Sequence, residues 1–455
     1  MFTREDLDRV IKAYDIRGLV EDQITPEFAF VVGSAFARFL MEDREPGSVV
    51  IGWDMRPSSE DLAAAFADGV NSQGIDAIKI GLASTDMLYF AAGSLNMPGA
   101  MFTASHNPAE YNGIKLAKSG ARPIGTETGL LRIKELMIHG VPMSTGPLGK
   151  TFERDLLGEY VDFLLGIFGK EELSSGKRLR VVVDAGNGMA GFTVPAIMER
   201  LNVELIPMYF ELDGTFPNHE ANPIDPKNLA DLVKRVKKEK ADIGLAFDGD
   251  ADRCFLIDER GELVNPSTLT SLIAIRELKR KPGSTIIYNL ISSKAVPEII
   301  TENGGVPLRS RVGHSYIKKM MAESNAVFGG EHSGHFYFTD FWRADSGALA
   351  ALFAIAELAH SPLSLSELLA PLNRYFASGE INTEVDDPKE SIEFIKDSFK
   401  TNYPIDELDG VTVTGPDWWF NVRASNTEPL LRLNVEANSK EQLEQVKSQV
   451  LALIG

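Results

Sequence analysis

The sequence predicts an α/β protein of three similar units followed by a distinct α+β tail. Three observations carry this reading. A strand–helix–strand pattern recurs three times, each recurrence ends in one further apolar run, and the last 80 or so residues change to short alternating strands. At about 150 residues per domain, 455 residues lead to about three domains.

In the first unit VVIG (49–52) precedes the amphipathic stretch SSEDLAAAFADGVNSQG and a second apolar run at Asp76–Ile80. In the second, RVVV (180–183) precedes GFTVPAIMERLN and VELIP (203–207). In the third, TIIY (285–288) precedes SSKAVPEIITENGG and VPLRS from Val306. The paired strands start 21 to 27 residues apart, a spacing that suits parallel βαβ units. The extra runs are GAMFTASHNP (99–108), IGLAFDGDADR (243–253) and AVFGGEHSGH (326–335). In open α/β sheets ligands bind at the carboxyl ends of strands, where these three loops fall. After the loop SPLSLSELLAPLNRY come INTEV, VTVTG, WWFNVRAS and LLRLNVEA, then a charged helix, SKEQLEQVKSQVLALI. This tail reads as a small α+β domain.

Composition narrows the partners. With 46 Lys+Arg against 65 Asp+Glu the net charge is −19, which disfavours nucleic acid and anionic membrane. The lone Cys254 excludes an internal disulfide and a multi-cysteine metal cluster. MFTREDLDRV lacks the apolar region of a secretory signal, and no apolar run reaches the roughly 18 residues of a membrane span. The expectation is a cytoplasmic protein, monomer or homodimer, acting on a small molecule.

Four loops carry chemistry. In DGDADR, Asp248, Asp250 and Asp252 alternate in a turn after an apolar strand, so their carboxylates can converge on one hard cation. An EF-hand is excluded because Arg253 occupies the sixth position, where the loop needs glycine. Three carboxylates with room for a phosphate oxygen suit Mg²⁺. In TASHNPAEYNGIK, Ser105 stands before Asn107–Pro108 and is expected in an exposed turn, with His106 and Lys115 as sources of positive charge. It could be a nucleophile or a phosphoryl carrier, or, taken alone, a polar turn residue. GGEHSGH offers Glu331, Ser333 and His335 around two glycines; Glu and Ser suit adjacent sugar hydroxyls, and the alternative is a structural loop. In RASNTEP, Arg423 with Ser425, Asn426 and Thr427 could cradle a phosphate. Gly186–Asn187–Gly188–Met189–Ala190–Gly191 matches the dinucleotide fingerprint, with Glu204 and Glu211 downstream, and sets up a nicotinamide-dependent oxidoreductase as the rival from another class. It explains neither the aspartates nor the serine, and reads as a tight strand-to-helix turn.

Taken in order, IKAYDIRG (11–18), GWDMRPSS (52–59), TASHNP (103–108), DGDADR (248–253), VGHSYIK (312–318), GEHSGH (330–335) and RASNTEP (423–429) resemble the α-D-phosphohexomutase family, particularly its bacterial phosphomannomutase/phosphoglucomutase branch. The resemblance implies four domains around a central cleft, at 1–150, 151–256, 257–374 and 375–455. The first three would be similar α/β/α domains with mixed sheets, and the last would be like the TATA-box-binding protein. It further implies that Ser105 is the phosphoserine, and that Asp248, Asp250 and Asp252 hold Mg²⁺ together with a phosphoserine oxygen. Glu331, Ser333 and His335 would contact the sugar, while Arg423, Ser425, Asn426 and Thr427 would clamp the phosphate not being transferred. Arg17, His106, Lys115, Arg253 and His314 would surround the reacting groups, with Lys115 and His314 as candidates for proton transfer. The activity implied is interconversion of hexose 1- and 6-phosphates through a hexose 1,6-bisphosphate, with mannose or glucose favoured over glucosamine. His332 departs from the methionine frequent in dual-specificity relatives.

Overall fold

The β-branched runs form strands buried along nearly their whole length. Val49–Val50–Ile51 lies in the strand Ser48–Trp53, and Val181–Val182–Val183 in Leu179–Asp184. Parallel sheets covered on both faces demand such continuous apolar runs. The computed structural model describes residues 2–45, 47–169, 172–424 and 430–454, without the side chains of His314 and Ser315. It divides into two compact units, residues 1–264 with 333–368, and residues 265–332 with 369–455.

The three repeats share one strand order. In the first sheet Asp76–Leu82, Ser48–Trp53 and Gly99–Phe102 lie side by side and parallel, continued by Tyr111–Lys118, antiparallel to Gly99–Phe102, and then by Ile16–Leu19, antiparallel to Tyr111–Lys118. The second sheet repeats it with Val203–Met208, Leu179–Asp184 and Ile243–Phe247 parallel, closed by antiparallel Cys254–Asp258. The third repeats it again, in the second unit, with Val306–Ser310, Thr285–Asn289 and Phe328–Gly330. The strand that follows each βαβ unit therefore always lies beside the unit's first strand.

The tail forms a five-stranded antiparallel sheet. Val411, Val413, Phe420, Val422, Leu431, Leu433 and Val435 pack with Ile395 and Phe399 of helix Pro388–Phe399 and with Val446 and Val450 of helix Lys440–Ile454. Period-2 alternation sends Trp419, Asn421 and Arg423 to the opposite face. The stretch expected as the loop SPLSLSELLAPLNRY instead contains a short helix, Leu365–Leu369, and a 3₁₀ turn, Ala370–Leu372. Ser364 and Glu367 form the polar start signal: the Ser364 N–H and hydroxyl donate to Glu367 Oε2 at 2.9 and 3.0 Å.

Gly186–Gly191 is a turn into helix Ala190–Met198, with Gly186 and Asn187 at φ +53° and +60°. A Cβ on Gly188 would stand 2.6 Å from the Gly249 carbonyl oxygen, and one on Gly191 2.3 Å from that of Phe210. These glycines serve close backbone packing. No helix among the described residues is long and apolar enough to cross a membrane.

Two interior features of the first unit invite tests. Helices Pro26–Asp43 and Ser59–Ser72 cross backbone to backbone: a Cβ on Gly33 would meet the Phe66 carbonyl oxygen at 2.2 Å, and one on Gly69 that of Phe30 at 2.1 Å. Buried Asp86 accepts from Ser84 Oγ at 2.5 Å, Ser346 Oγ at 2.6 Å and Tyr160 Oη at 2.8 Å, tying three distant segments together. Gly69→Ala is expected to lower stability by about 1–3 kcal/mol through overpacking, read as a lower urea midpoint. Burial, partly offset by those hydroxyls, lifts the Asp86 pKa from 3.8 to about 6. The folded state therefore holds the proton more tightly than the unfolded chain. This contribution, up to about 3 kcal/mol, is present below pH 4 and lost as pH rises through about 6. Asp86→Asn should flatten the stability profile over that window in denaturant titrations.

Candidate active site

The shared strand order places the chemistry-bearing loops at equivalent points. TASHNP follows Gly99–Phe102, DGDADR follows Ile243–Phe247, and EHSGH follows Phe328–Gly330. Each loop leaves the carboxyl end of the same strand of its repeat, where backbone groups leave the ladder and side chains turn outward.

Within the first unit, two of these loops meet. Ser105 Oγ donates to Asp248 Oδ2 at 2.9 Å, and His106 Nδ1 lies 3.2 Å from the same hydroxyl. Contrary to the exposed turn expected, Ser105 is only 5% exposed and adopts φ +52°. Asn107–Pro108 restricts the local backbone, but partners distant in sequence enclose the serine. A Cβ on Gly249 would stand 2.4 Å from the Ser105 carbonyl oxygen, so only glycine lets the acidic loop lie this close.

Asp248, Asp250 and Asp252 are buried and present carboxylate oxygens within 4.8 Å of one another. Lys115 Nζ donates to Oδ2 of both Asp250 and Asp252 at 2.7 Å, and Arg253 Nε donates to Asp248 Oδ2 at 2.9 Å. Thr85 adds its hydroxyl to Asp250 Oδ2 at 2.6 Å and its N–H to the Asp250 carbonyl at 2.9 Å. Two cations facing three carboxylates leave the cluster one positive charge short. Asp248 shows the consequence: burial first, and then Asp252 and Asp250, push its pKa to about 7 although Arg253 opposes them. Asp250 moves the other way, because Lys115 outweighs its burial. Oδ1 of Asp250 and Oδ1 of Asp252 are buried without a hydrogen-bond partner among the described residues. Unpaired buried carboxylate oxygens converging in this manner fit a hard divalent cation.

The other expected residues of this unit gather around the same cluster. Arg17 Nη1 donates to Asn107 Oδ1 and Nη2 to Asp15 Oδ2, each at 2.5 Å. Burial, with Arg253 and Arg17 nearby, holds His106 neutral, well below the usual histidine range. Burial opposes the Lys115 charge, but Asp250 and Asp252 prevail and keep it an ammonium. His335 Nδ1 meets Asp345 Oδ2 at 2.8 Å and lies 3.8 Å from Asp252 Oδ1. Burial lowers its pKa less than Asp252 and Asp345 raise it. Ser333 is half-buried in this unit.

In the second unit, buried Glu331 accepts from the Gly313 N–H at 3.0 Å and from Asn289 Nδ2 at 3.5 Å. Arg423 Nη2 donates to Glu380 Oε2 at 2.5 Å, while its Nη1 is buried without a hydrogen-bond partner among the described residues. His314 opens helix His314–Ser324. The His314 side chain and Ser425, Asn426 and Thr427 lie outside the described residues.

Three contributors had no role assigned from the sequence. At a helix N-terminus that carries no motif of its own, Thr85 backs the acidic loop and Asp86 bonds Ser84, Ser346 and Tyr160. Arg56, in the GWDMRPSS segment, is buried and donates to the carbonyls of Ser105 and Asn107 at 3.1 and 2.6 Å. A basic residue in that short motif was the available signal.

Family models cover almost the whole chain in order. Phosphoglucomutase/phosphomannomutase alpha/beta/alpha domains I, II and III match residues 8–139, 158–261 and 265–375, and the C-terminal domain matches 380–453. The chain is 38% identical over 450 residues to a phosphomannomutase of Escherichia coli K12, covering 97% of each chain. It is 36% identical to a phosphomannomutase/phosphoglucomutase of Pseudomonas syringae pv. tomato, over 97% of this chain and 94% of that one. A crystal structure of a phosphoglucomutase/phosphomannomutase family protein from Burkholderia thailandensis superposes with a TM-score of 0.89 at 30% identity, covering 98% of this chain and 96% of that one. With a serine held against an acidic triad, repeated loops at equivalent strand ends and all four domain models matched in order, the chain belongs to the α-D-phosphohexomutase family, in its bacterial phosphomannomutase/phosphoglucomutase branch.

Proposed function

We propose that this protein interconverts hexose 1-phosphates and 6-phosphates, with mannose or glucose as the sugar, through a phosphoserine at Ser105 and a hexose 1,6-bisphosphate. The observation that carries this reading is the contact of Ser105 Oγ with Asp248 Oδ2, 2.9 Å away inside a buried triad of aspartates. In the first half-reaction the bond from phosphorus to Ser105 Oγ breaks as a bond to the free sugar hydroxyl forms, and the hydroxyl proton ends on Ser105 Oγ. The bisphosphate turns over, and its other phosphate returns to Ser105 by the reverse exchange.

The residue assignments follow from charge. Asp248, Asp250 and Asp252, with a phosphoserine oxygen, would hold Mg²⁺. When bound, that ion neutralises charge on the transferring group. Arg17, Lys115 and Arg253 supply the remaining positive charge. Lys115, held as an ammonium by two carboxylates, serves as a fixed cation or proton donor rather than a base. His106, neutral and 3.2 Å from Ser105 Oγ, is suited to relay the proton at that oxygen, with His314 as the second candidate. Glu331, Ser333 and His335 are assigned to the sugar, and Arg423, Ser425, Asn426 and Thr427 to the phosphate that stays. We retain domains at 1–150, 151–256, 257–374 and 375–455, one loop to each, and a cytoplasmic setting in which sugar phosphates are abundant.

The intact protein should show a species heavier by about 80 Da that is absent from Ser105→Ala. That variant should lose nearly all turnover of mannose 1-phosphate and glucose 1-phosphate in a coupled assay. Near-wild-type turnover in it overturns the mechanism, and turnover confined to glucosamine 6-phosphate would replace the sugar assignment. Chelation with EDTA should abolish activity and Mg²⁺ restore it, while Asp252→Asn should weaken Mn²⁺ binding measured by electron paramagnetic resonance about 10-fold or more.

A further inference from the structure

We propose that Arg56 is the positioning residue for the nucleophile: its guanidinium gathers the carbonyls of the Ser105 loop and so sets the direction of Ser105 Oγ. This inference rests on the reading of Ser105 as the phosphoryl carrier.

The guanidinium has five N–H groups, and five acceptors surround it. Nη2 donates to the carbonyls of Ser105 at 3.1 Å and Asn107 at 2.6 Å, and Nη1 to those of Pro108 at 2.7 Å and Tyr111 at 2.9 Å. Nε donates to Asp54 Oδ2 at 3.2 Å. Arg56 is 3% exposed. Asp54 is fixed in turn by the Arg56 N–H at 3.0 Å and Ser59 Oγ at 2.6 Å, both on Oδ1. The ring of Phe216 lies 5.1 Å from the guanidinium carbon, and a Cβ on Gly214 would stand 2.5 Å from Arg56 Cα, so the second repeat's loop seals the residue in place.

The consequence falls on Ser105. Its N–H donates to Thr103 Oγ1 at 2.9 Å, and its carbonyl is held by Arg56. With both flanking peptide groups pinned, a non-glycine residue keeps its left-handed φ of +52°. That conformation aims Oγ at Asp248. The four carbonyls are spread over residues 105–111, a span that a planar fork reaches with two nitrogens and a lysine ammonium does not. Arg56 spends all its donors on protein groups, so its role differs from that of Arg17 or Arg253: it holds the loop rather than the substrate.

The test uses the full-length Mg²⁺ enzyme, phosphorylated with glucose 1,6-bisphosphate. In Arg56→Ala the phosphoserine mass should persist, single-turnover transfer to glucose 1-phosphate should slow about 100-fold, and KM should change little. Millimolar guanidinium should restore part of the rate in Arg56→Ala and none in wild type. Arg56→Lys keeps the charge and should be slow with an unfolding midpoint near wild type, which covers the case in which the alanine variant does not fold. Wild-type transfer in either variant, or a loss that follows the unfolded fraction and ignores guanidinium, overturns the proposal. Absence of phosphoserine in the wild-type enzyme would instead overturn the reading of Ser105, leaving the two failures distinguishable.

Discussion

Three carboxylates buried together are the constraint on which the first unit is organised. At ordinary pH their mutual repulsion in a poorly solvated interior would open the loop, so cations must be brought to them. Lys115 and Arg253 come from the antiparallel strand of the first sheet and from the end of the acidic loop itself. Thr85 adds a hydroxyl from a helix start. Burial, with Asp252 and Asp250 adding to it, raises the pKa of Asp248, and it is Asp248 that accepts from Ser105. The serine hydroxyl and the carboxylate of raised pKa thus meet at one point.

The same economy explains the strand order. Repeating one βαβ unit with a third strand beside the first gives every repeat a loop at the same strand end. Equivalent loops then carry different side chains, with a serine on one, aspartates on the next, and a glutamate and histidine on the third. Glycines allow the close approach: Gly249 against Ser105, and Gly188 against Gly249. Larger residues there would separate the loops before their side chains could interact.

Much of this was legible in the chain. The three strand–helix–strand patterns, the strands of the tail and the convergence of Asp248, Asp250 and Asp252 follow from apolar period and short-range spacing, which local sequence encodes. The helix at Leu365–Leu369 was also encoded, in the Ser364–Glu367 pair, but was overshadowed by the prolines and serines around it. The burial of Ser105 was not legible, since Asp248 and Gly249, which lie against it, are more than a hundred positions away.

By itself, then, the sequence determined the kinds of domain, the order of the loops and the alternation of the three aspartates, because periodicity and motif spacing are local properties. Only the tertiary structure decided which charges neutralise which. It paired Lys115, a candidate for proton transfer, with Asp250 and Asp252, drew His335 toward Asp252 and Asp345, and gave Arg56 its five acceptors. Electrostatic balance depends on distance and burial in three dimensions, and neither is written in the spacing of residues along the chain.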